Sequence, residues 1–306
     1  MTRFLKDILR KPYRKLQQIF GQLDFVPSGH FYSPIANDFE IKEGIERTSY
    51  DPDLLHGIEL HLQEQRKLLG IFERLYAQMP FKDTKQPNMR YYFDNNAYCH
   101  SDGICLYSMI RHLAPKRIIE VGSGFSSALM HDVNDMFFGP IRGGAIQERG
   151  SIHITHIEPY PKVLASLFSP QEFANLNLHQ QRLQEVPLTL FDSLESNDIL
   201  FIDSTHVSKV NSDVNRLFFE ILPRLKRGVY VHLHDIFYPF SYPKEWLEEK
   251  RSWNEAYILR AFLQYNTDFK IVFFNTCLNH LYPDEFARVL PLSQKNKGGS
   301  IWIQRQ

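Results

Sequence analysis

The sequence predicts an α/β fold: a seven-stranded, mostly parallel sheet with helices on both faces and a helical extension at the N-terminal end. Three observations carry this. Short apolar runs recur near residues 117–121, 152–157, 176–181, 198–203, 228–234, 269–275 and 300–304. Helical patterns fill most of the gaps, and such alternation implies parallel strands joined by crossover helices. The run from Ile199 to Ile202 is apolar throughout, as a strand buried on both faces requires.

Taken in order, residues 1–23 carry Arg3, Lys6, Arg10, Lys11, Arg14 and Lys15 against Asp7, with Leu5, Ile8, Leu9, Leu16, Ile19 and Phe20 near helical spacing. Such a basic amphipathic helix packs on its own domain or lies on an anionic membrane or a partner. Residues 24–50 read as irregular linker. A long helix is expected over 51–79, with Leu54, Leu55, Ile58, Leu62, Leu69, Phe72, Leu75 and Tyr76 on one side and Pro80 as its stop. The expected organisation is an extension over 1–80 and a main domain over 81–306. Residues 81–103 look loop-like, and Ser101 or Asp102 is suited to cap a helix over 104–113. Further helices are expected at 126–137, 161–168, 184–195, 211–224 and 254–264, with 140–150 an insertion. The last strand, Ser300 to Gln304, follows no clear helix and is expected to run antiparallel.

Composition narrows the field. The 306 residues include 35 Lys+Arg and 35 Asp+Glu, so no global field favours nucleic acid, and none is expected as a partner. Cys99, Cys105 and Cys277 are too few for a disulfide framework. Cys99 and His100 with Cys105 lack the paired spacing of a zinc site. No apolar run approaches the roughly 20 residues of a membrane span. The expectation is a soluble, cytoplasmic protein whose oligomeric state is open, self-association included.

The informative segment is Arg117 to Ser126, an apolar strand running into Glu120, then Gly122-Ser123-Gly124, then a new helix. Glycines allow a sharp turn and a close ligand approach, and the helix directs its first N–H groups at whatever occupies the crevice. Ligands of open α/β sheets bind beyond the carboxyl ends of the strands. There the second strand ends in Glu158, suited to ribose hydroxyls, and the third near Arg182, which would border a base. The fourth ends in Asp203-Ser204-Thr205-His206. The fifth ends in His232-Leu233-His234-Asp235, placing a second polar cluster beside Asp203.

Together Glu120 to Ser127, Ile157-Glu158, Phe201 to His206, Leu225 to Gly228 and His234-Asp235 resemble the class I S-adenosylmethionine-dependent methyltransferases, and among them the small-molecule and sugar O-methyltransferases. The resemblance covers roughly residues 90–306. It implies a Rossmann-like seven-stranded sheet with the last strand antiparallel. It also implies an S-adenosylmethionine site in which Glu120, Gly122, Ser123, Gly124 and Ser126 frame the methionine end and Glu158 holds the ribose. Metal-dependent relatives bind magnesium through an acid ending the fourth strand and an acidic pair ending the fifth. Asp203 and Asp235 match, whereas His234 replaces the first acid of the pair. Nitrogen in the set suits a transition metal better than magnesium, so Asp203, His234 and Asp235 are the expected ligands of a divalent metal, if one is bound.

Methyl transfer to a hydroxyl of a small molecule or sugar needs alignment and removal of a proton. His206, three residues past Asp203, is the expected base, with His234 the runner-up. The aromatic run Phe237, Tyr238, Phe240, Tyr242 and Trp246 is expected either to wall the acceptor or to form a covered apolar patch. Two other readings fit a glycine turn of this kind, a non-catalytic cofactor-binding module and a nicotinamide-dependent oxidoreductase. A dinucleotide site wants a third glycine where this chain has Ser127.

Overall fold

A computed structural model describes residues 25–139 and 150–306. The basic helix expected over 1–23 and nearly all of the 140–150 insertion lie outside the described residues. In chain order the elements are α1 (Asp38–Arg47), α2 (Leu62–Tyr76), α3 (His100–Leu113), β1 (Arg117–Val121), α4 (Phe125–Phe137), β2 (His153–Ile157), α5 (Lys162–Leu167), α6 (Pro170–Ala174) and β3 (Asn177–His179). They continue with β4 (Ile199–Ile202), α7 (Asp213–Arg216), β5 (Tyr230–His234), α8 (Lys244–Glu248), α9 (Glu255–Leu263), β6 (Phe269–Phe274), α10 (Asn275–Leu281), α11 (Pro283–Val289) and β7 (Ser300–Arg305).

The chain forms two compact units. One comprises residues up to Thr48 with Pro243–Ser252; the other comprises Ser49–Tyr242 with Trp253–Gln306. In the first, α1 occupies part of the expected linker. Asn37 caps it by accepting from the Glu40 N–H while the Glu40 carboxylate accepts from the Asn37 N–H. Lys250 pairs with Asp38 there at 2.7 Å.

The second unit holds the sheet, in the order β3-β2-β1-β4-β5-β7-β6. Strands β1 to β5 are parallel, and β7 runs antiparallel between β5 and β6, as expected of the last strand. β4 is buried along its whole length because it lies between β1 and β5 with helices over both faces. Helix α3 is buried from His100 to Ile110, packed between α2, α4 and the turn at 291–294. Among the described residues no helix is long and apolar enough to cross a membrane.

Several expected helices differ for local reasons. The 51–79 pattern breaks after a short turn at Pro52–Leu54, because Gly57 and His61 both adopt positive φ. Pro187 divides the 184–195 segment into two short 3-10 turns. The 211–224 helix opens into a wide turn at Leu217–Ile221 and then tightens over Leu222–Arg224. α3 starts at His100 behind Cys99, so Ser101 and Asp102 lie inside it rather than capping it. α10 and α11 fill the stretch before β7 that lacked a helical pattern.

The turn after β1 fixes the geometry of the strand ends. Gly122 has φ +80, and a Cβ there would lie 2.0 Å from the carbonyl oxygen of Asp203. The Asp203 N–H donates to Val121 and the Gly122 N–H to Ile157, so three strand ends are tied together at one point. Gly124 differs: a Cβ would meet only the Val163 methyl at 3.6 Å. Gly122→Ala is therefore expected to lower unfolding free energy by more than about 1 kcal/mol, and Gly124→Ala to change it by less than about 0.5 kcal/mol, both read by urea denaturation. Equal effects would show that the backbone approach to Asp203 is not limiting.

Candidate active site

The crevice beyond β1 and β2 is built by the glycine turn and by Glu158. Glu158 is half-buried; one oxygen accepts from the Ser123 N–H (3.1 Å) and the other from the Tyr160 N–H (2.7 Å). Both oxygens keep lone pairs. The Ser123 hydroxyl is buried without a protein partner. The open side of Gly124, the orphan hydroxyl and the half-buried carboxylate form a polar cradle able to receive a hydroxylated ligand.

Behind the turn lies Glu120, wholly buried, accepting from Ser126 Oγ, Ser127 Oγ and His156 Nδ1, each at 2.6 Å. Ser127 Oγ also accepts from the Gly124 N–H at 3.0 Å. The resemblance implies that Glu120 and Ser126 frame the methionine end of a ligand. Their polar atoms point at each other and brace the turn from the rear, because the first turn of α4 folds its serines back over the end of β1. Arg182 is likewise turned locally: it is exposed and pairs with Glu185 at 2.6 Å, three residues on.

A second cluster stands beyond β4 and β5. His206 Nε2 lies 3.5 Å from Asp203 Oδ1 and 3.5 Å from Asp235 Oδ2, while His206 Nδ1 lies 2.8 Å from Glu255 Oε2. Glu255, at the start of α9, is buried and also accepts from Ser204 Oγ. The His206 carbonyl accepts the N–H groups of Asn254 and Glu255, and the Trp253 ring stands 4.4 Å away. These contacts hold His206 at a φ of 59°, and Asp235 has a φ of 56°; both are left-handed, a conformation uncommon outside glycine.

Electrostatics follow from this packing. Burial works to lower the His206 pKa, but hydrogen bonds to Asp203 and Glu255 and their charges overcome it and push it up to about 10. With nothing else bound, the imidazole is a cation. The expected base sits among carboxylates. Burial tends to keep the Asp203 proton on, yet His234 and His206 outweigh it and hold the carboxyl below its ordinary value. For Asp235 burial prevails and the pKa is raised. Burial likewise opposes a charge on His234, but Asp235, Asp203 and Asp102 raise its pKa.

Asp203, His206 and Asp235 each turn one ligand atom toward a common point, all within 4.8 Å of one another. The cluster thus brings His206, rather than the expected His234, beside both acids. His234 Nε2 lies 3.5 Å from Asp235 Oδ1 on that residue's other oxygen, and its Nδ1 has no partner. The donor set of one imidazole and two carboxylates fits a divalent cation, and the Glu255 contact to Nδ1 is the usual way a ligating histidine is oriented. Of the aromatic run, Tyr238, Phe240 and Tyr242 are buried; Tyr238 and Phe240 pack on Phe274, and Tyr242 on Trp253 and Tyr257. They belong to the core.

The strand order, the glycine turn and an acid at the end of each of β2 and β4 give an open α/β domain with a polar crevice beyond its strand ends. A family model described as a methyltransferase domain matches residues 119–236. An uncharacterized protein of Archaeoglobus fulgidus is 36% identical over 181 residues, which are 56% of this chain and 75% of that protein. The stretch that the family model matches runs from within β1 to just past β5, so the methyltransferase-domain pattern spans the strands whose ends build the crevice. Among solved structures the chain is similar to an SAH-bound methyltransferase of Podospora anserina (12% identity, 93% of this chain and 100% of that one, TM-score 0.40). Another is an O-methyltransferase of Bacillus cereus in complex with SAH (14% identity, 78% and 91%, TM-score 0.39).

The sequence reading missed Glu255, Trp253 and His156. Glu255 carried only the signal of an acid in the first turn of a helix, which the helix dipole explains equally well.

One consequence concerns stability. The folded His206 pKa exceeds the unfolded value of ~6.5, so its contribution is full below about pH 6.5 and is lost as pH rises through about 10. His206→Gln should be less stable than wild type near neutrality, and the gap should close toward pH 10 in thermal melts. A pH-independent gap would mean that the imidazole is neutral.

Proposed function

We propose that this protein is a small-molecule O-methyltransferase that activates an acceptor hydroxyl in the space bounded by Asp203, His206 and Asp235. The observation that carries the reading is the convergence of these three side chains at the strand ends that Gly122 ties to the cofactor turn. S-adenosylmethionine brings an activated methyl group, so the protein has to orient the acceptor and accept its proton. In this reading Glu158 holds the ribose hydroxyls, and the Ser123 hydroxyl and open Gly124 face take the methionine end. Tyr160, exposed beside Glu158, covers the base.

A divalent cation would be held by Asp203, Asp235 and His206 Nε2, with Glu255 keeping the Nδ1 proton. When bound, it lowers the pKa of a coordinated hydroxyl. Binding there would also displace the proton that the carboxylates otherwise keep on His206. The same geometry without a cation makes His206 a base only at high pH, and this separates the two routes. Activity that needs a divalent ion and is lost on chelation supports the metal route. Activity that survives chelation and climbs toward pH 10 supports His206 as a metal-free base.

Calorimetry with S-adenosylhomocysteine tests the cofactor half directly. Glu158→Ala should weaken binding by roughly tenfold or more, the loss expected for charge-assisted hydrogen bonds. His206→Ala should leave that affinity within a factor of about three while reducing turnover. Loss of cofactor affinity in His206→Ala to the same degree as in Glu158→Ala would place His206 in the fold rather than in the chemistry.

A further inference from the structure

Behind the glycine turn a buried chain of side chains leads away from the crevice, and the methyl-transfer chemistry does not use it. His156 is the register partner of Glu120 across the β1–β2 pair. Its Nδ1 faces the Glu120 carboxylate at 2.6 Å, and its Nε2 lies 3.0 Å from Nε2 of His131 on α4. The two imidazoles stack at 5.2 Å, and His131 meets the Phe168 edge at 5.1 Å.

The proton positions follow from the donor inventory. A carboxylate only accepts, so His156 Nδ1 carries a hydrogen. Its Nε2 and the Nε2 of His131 share one hydrogen between them. The chain thus runs from His131 through His156 to Glu120, from there to the hydroxyls of Ser126 and Ser127, and ends at the Gly124 N–H. Glu120 is wholly buried, and a buried carboxylate stripped of one of its three donors is costly. The loss is passed on to Ser126 and Ser127, and through Ser127 Oγ to the Gly124 N–H, beyond the point where Gly122 is anchored.

We propose that His156 and His131 are positioning residues for the cofactor, acting through Glu120 to hold the glycine turn in its binding-competent form; this rests on the cofactor reading above. A pH dependence follows from the same geometry. The charged and titratable groups facing the pair are Glu120 on β1, Arg90 from the loop before α3, and Glu172 on α6. Burial, His156 and Arg90 oppose a charge on His131 and hold its pKa down at about 3, Glu172 notwithstanding. A folded pKa below the unfolded value means the arrangement is intact above about pH 6.5 and is weakened as pH falls toward 3.

The test is calorimetric titration of the full-length protein with S-adenosylhomocysteine from pH 7.5 down to pH 5, alongside three variants. His156→Leu, folded by circular dichroism, should bind at least about tenfold more weakly at pH 7.5. His156→Asn, whose amide can donate from the Nδ1 position, should recover most of that loss. His131→Gln, whose amide can serve as donor or acceptor toward His156 but cannot take a proton, should bind like wild type at pH 7.5 and lose less affinity on acidification. A folded His156→Leu with wild-type affinity overturns the proposal, as does a His131→Gln profile that parallels wild type. If His156→Leu does not fold, His156→Asn and His131→Gln decide it. Wild-type protein that binds no S-adenosylhomocysteine at any pH overturns the cofactor reading, and this one with it.

Discussion

The contact on which the rest of the site depends is the approach of the Gly122 backbone to the Asp203 carbonyl. It leaves no space for a side chain at Gly122. Because that turn follows β1 and Asp203 follows β4, the contact registers the ends of two neighbouring strands against each other. The Gly122 N–H bonded to Ile157 adds β2 to the same junction. A cradle for one ligand and a cluster of acids and histidine are thereby held side by side. Neither could shift without breaking main-chain hydrogen bonds of the sheet, and this is how a rigid scaffold positions loop chemistry.

Much of the fold was legible because its signals are local and periodic. The continuous apolar run of β4, the Gly-Ser-Gly turn after β1 and the acids at the strand ends required no knowledge of the rest of the chain. The antiparallel last strand was legible from the missing crossover pattern, although α10 and α11 occupy that stretch. Helix lengths were less legible. Pro187, and Gly57 with His61, break patterns whose apolar spacing looks continuous, since a backbone requirement at one position overrides the propensity of its neighbours.

The site was legible in position but not in wiring. Asp203, His206, His234 and Asp235 do gather at the ends of β4 and β5. Which histidine faces both acids depends on a left-handed backbone at His206 and on a carboxylate 49 residues further along the chain. Neither leaves a mark at short range. Glu120 was no more legible: its motif position says nothing of the strand partner His156 and the two serines after the turn, which draw both oxygens inward.

The two histidine sites of this crevice set one residue type to opposite purposes. His206 stands among Asp203, Asp235 and Glu255, and their charges drive its pKa up to about 10. His131 is enclosed by apolar contacts, a second imidazole and Arg90, and its pKa falls to about 3. At neutral pH the first is therefore charged and the second neutral, with no difference in covalent chemistry. The neutral His131 suits a brace, since an uncharged imidazole inside the fold keeps its geometry across the working range. The charged one is held among carboxylates that it partly neutralises. Burial is common to both; what separates them is which charges the strand ends bring into reach.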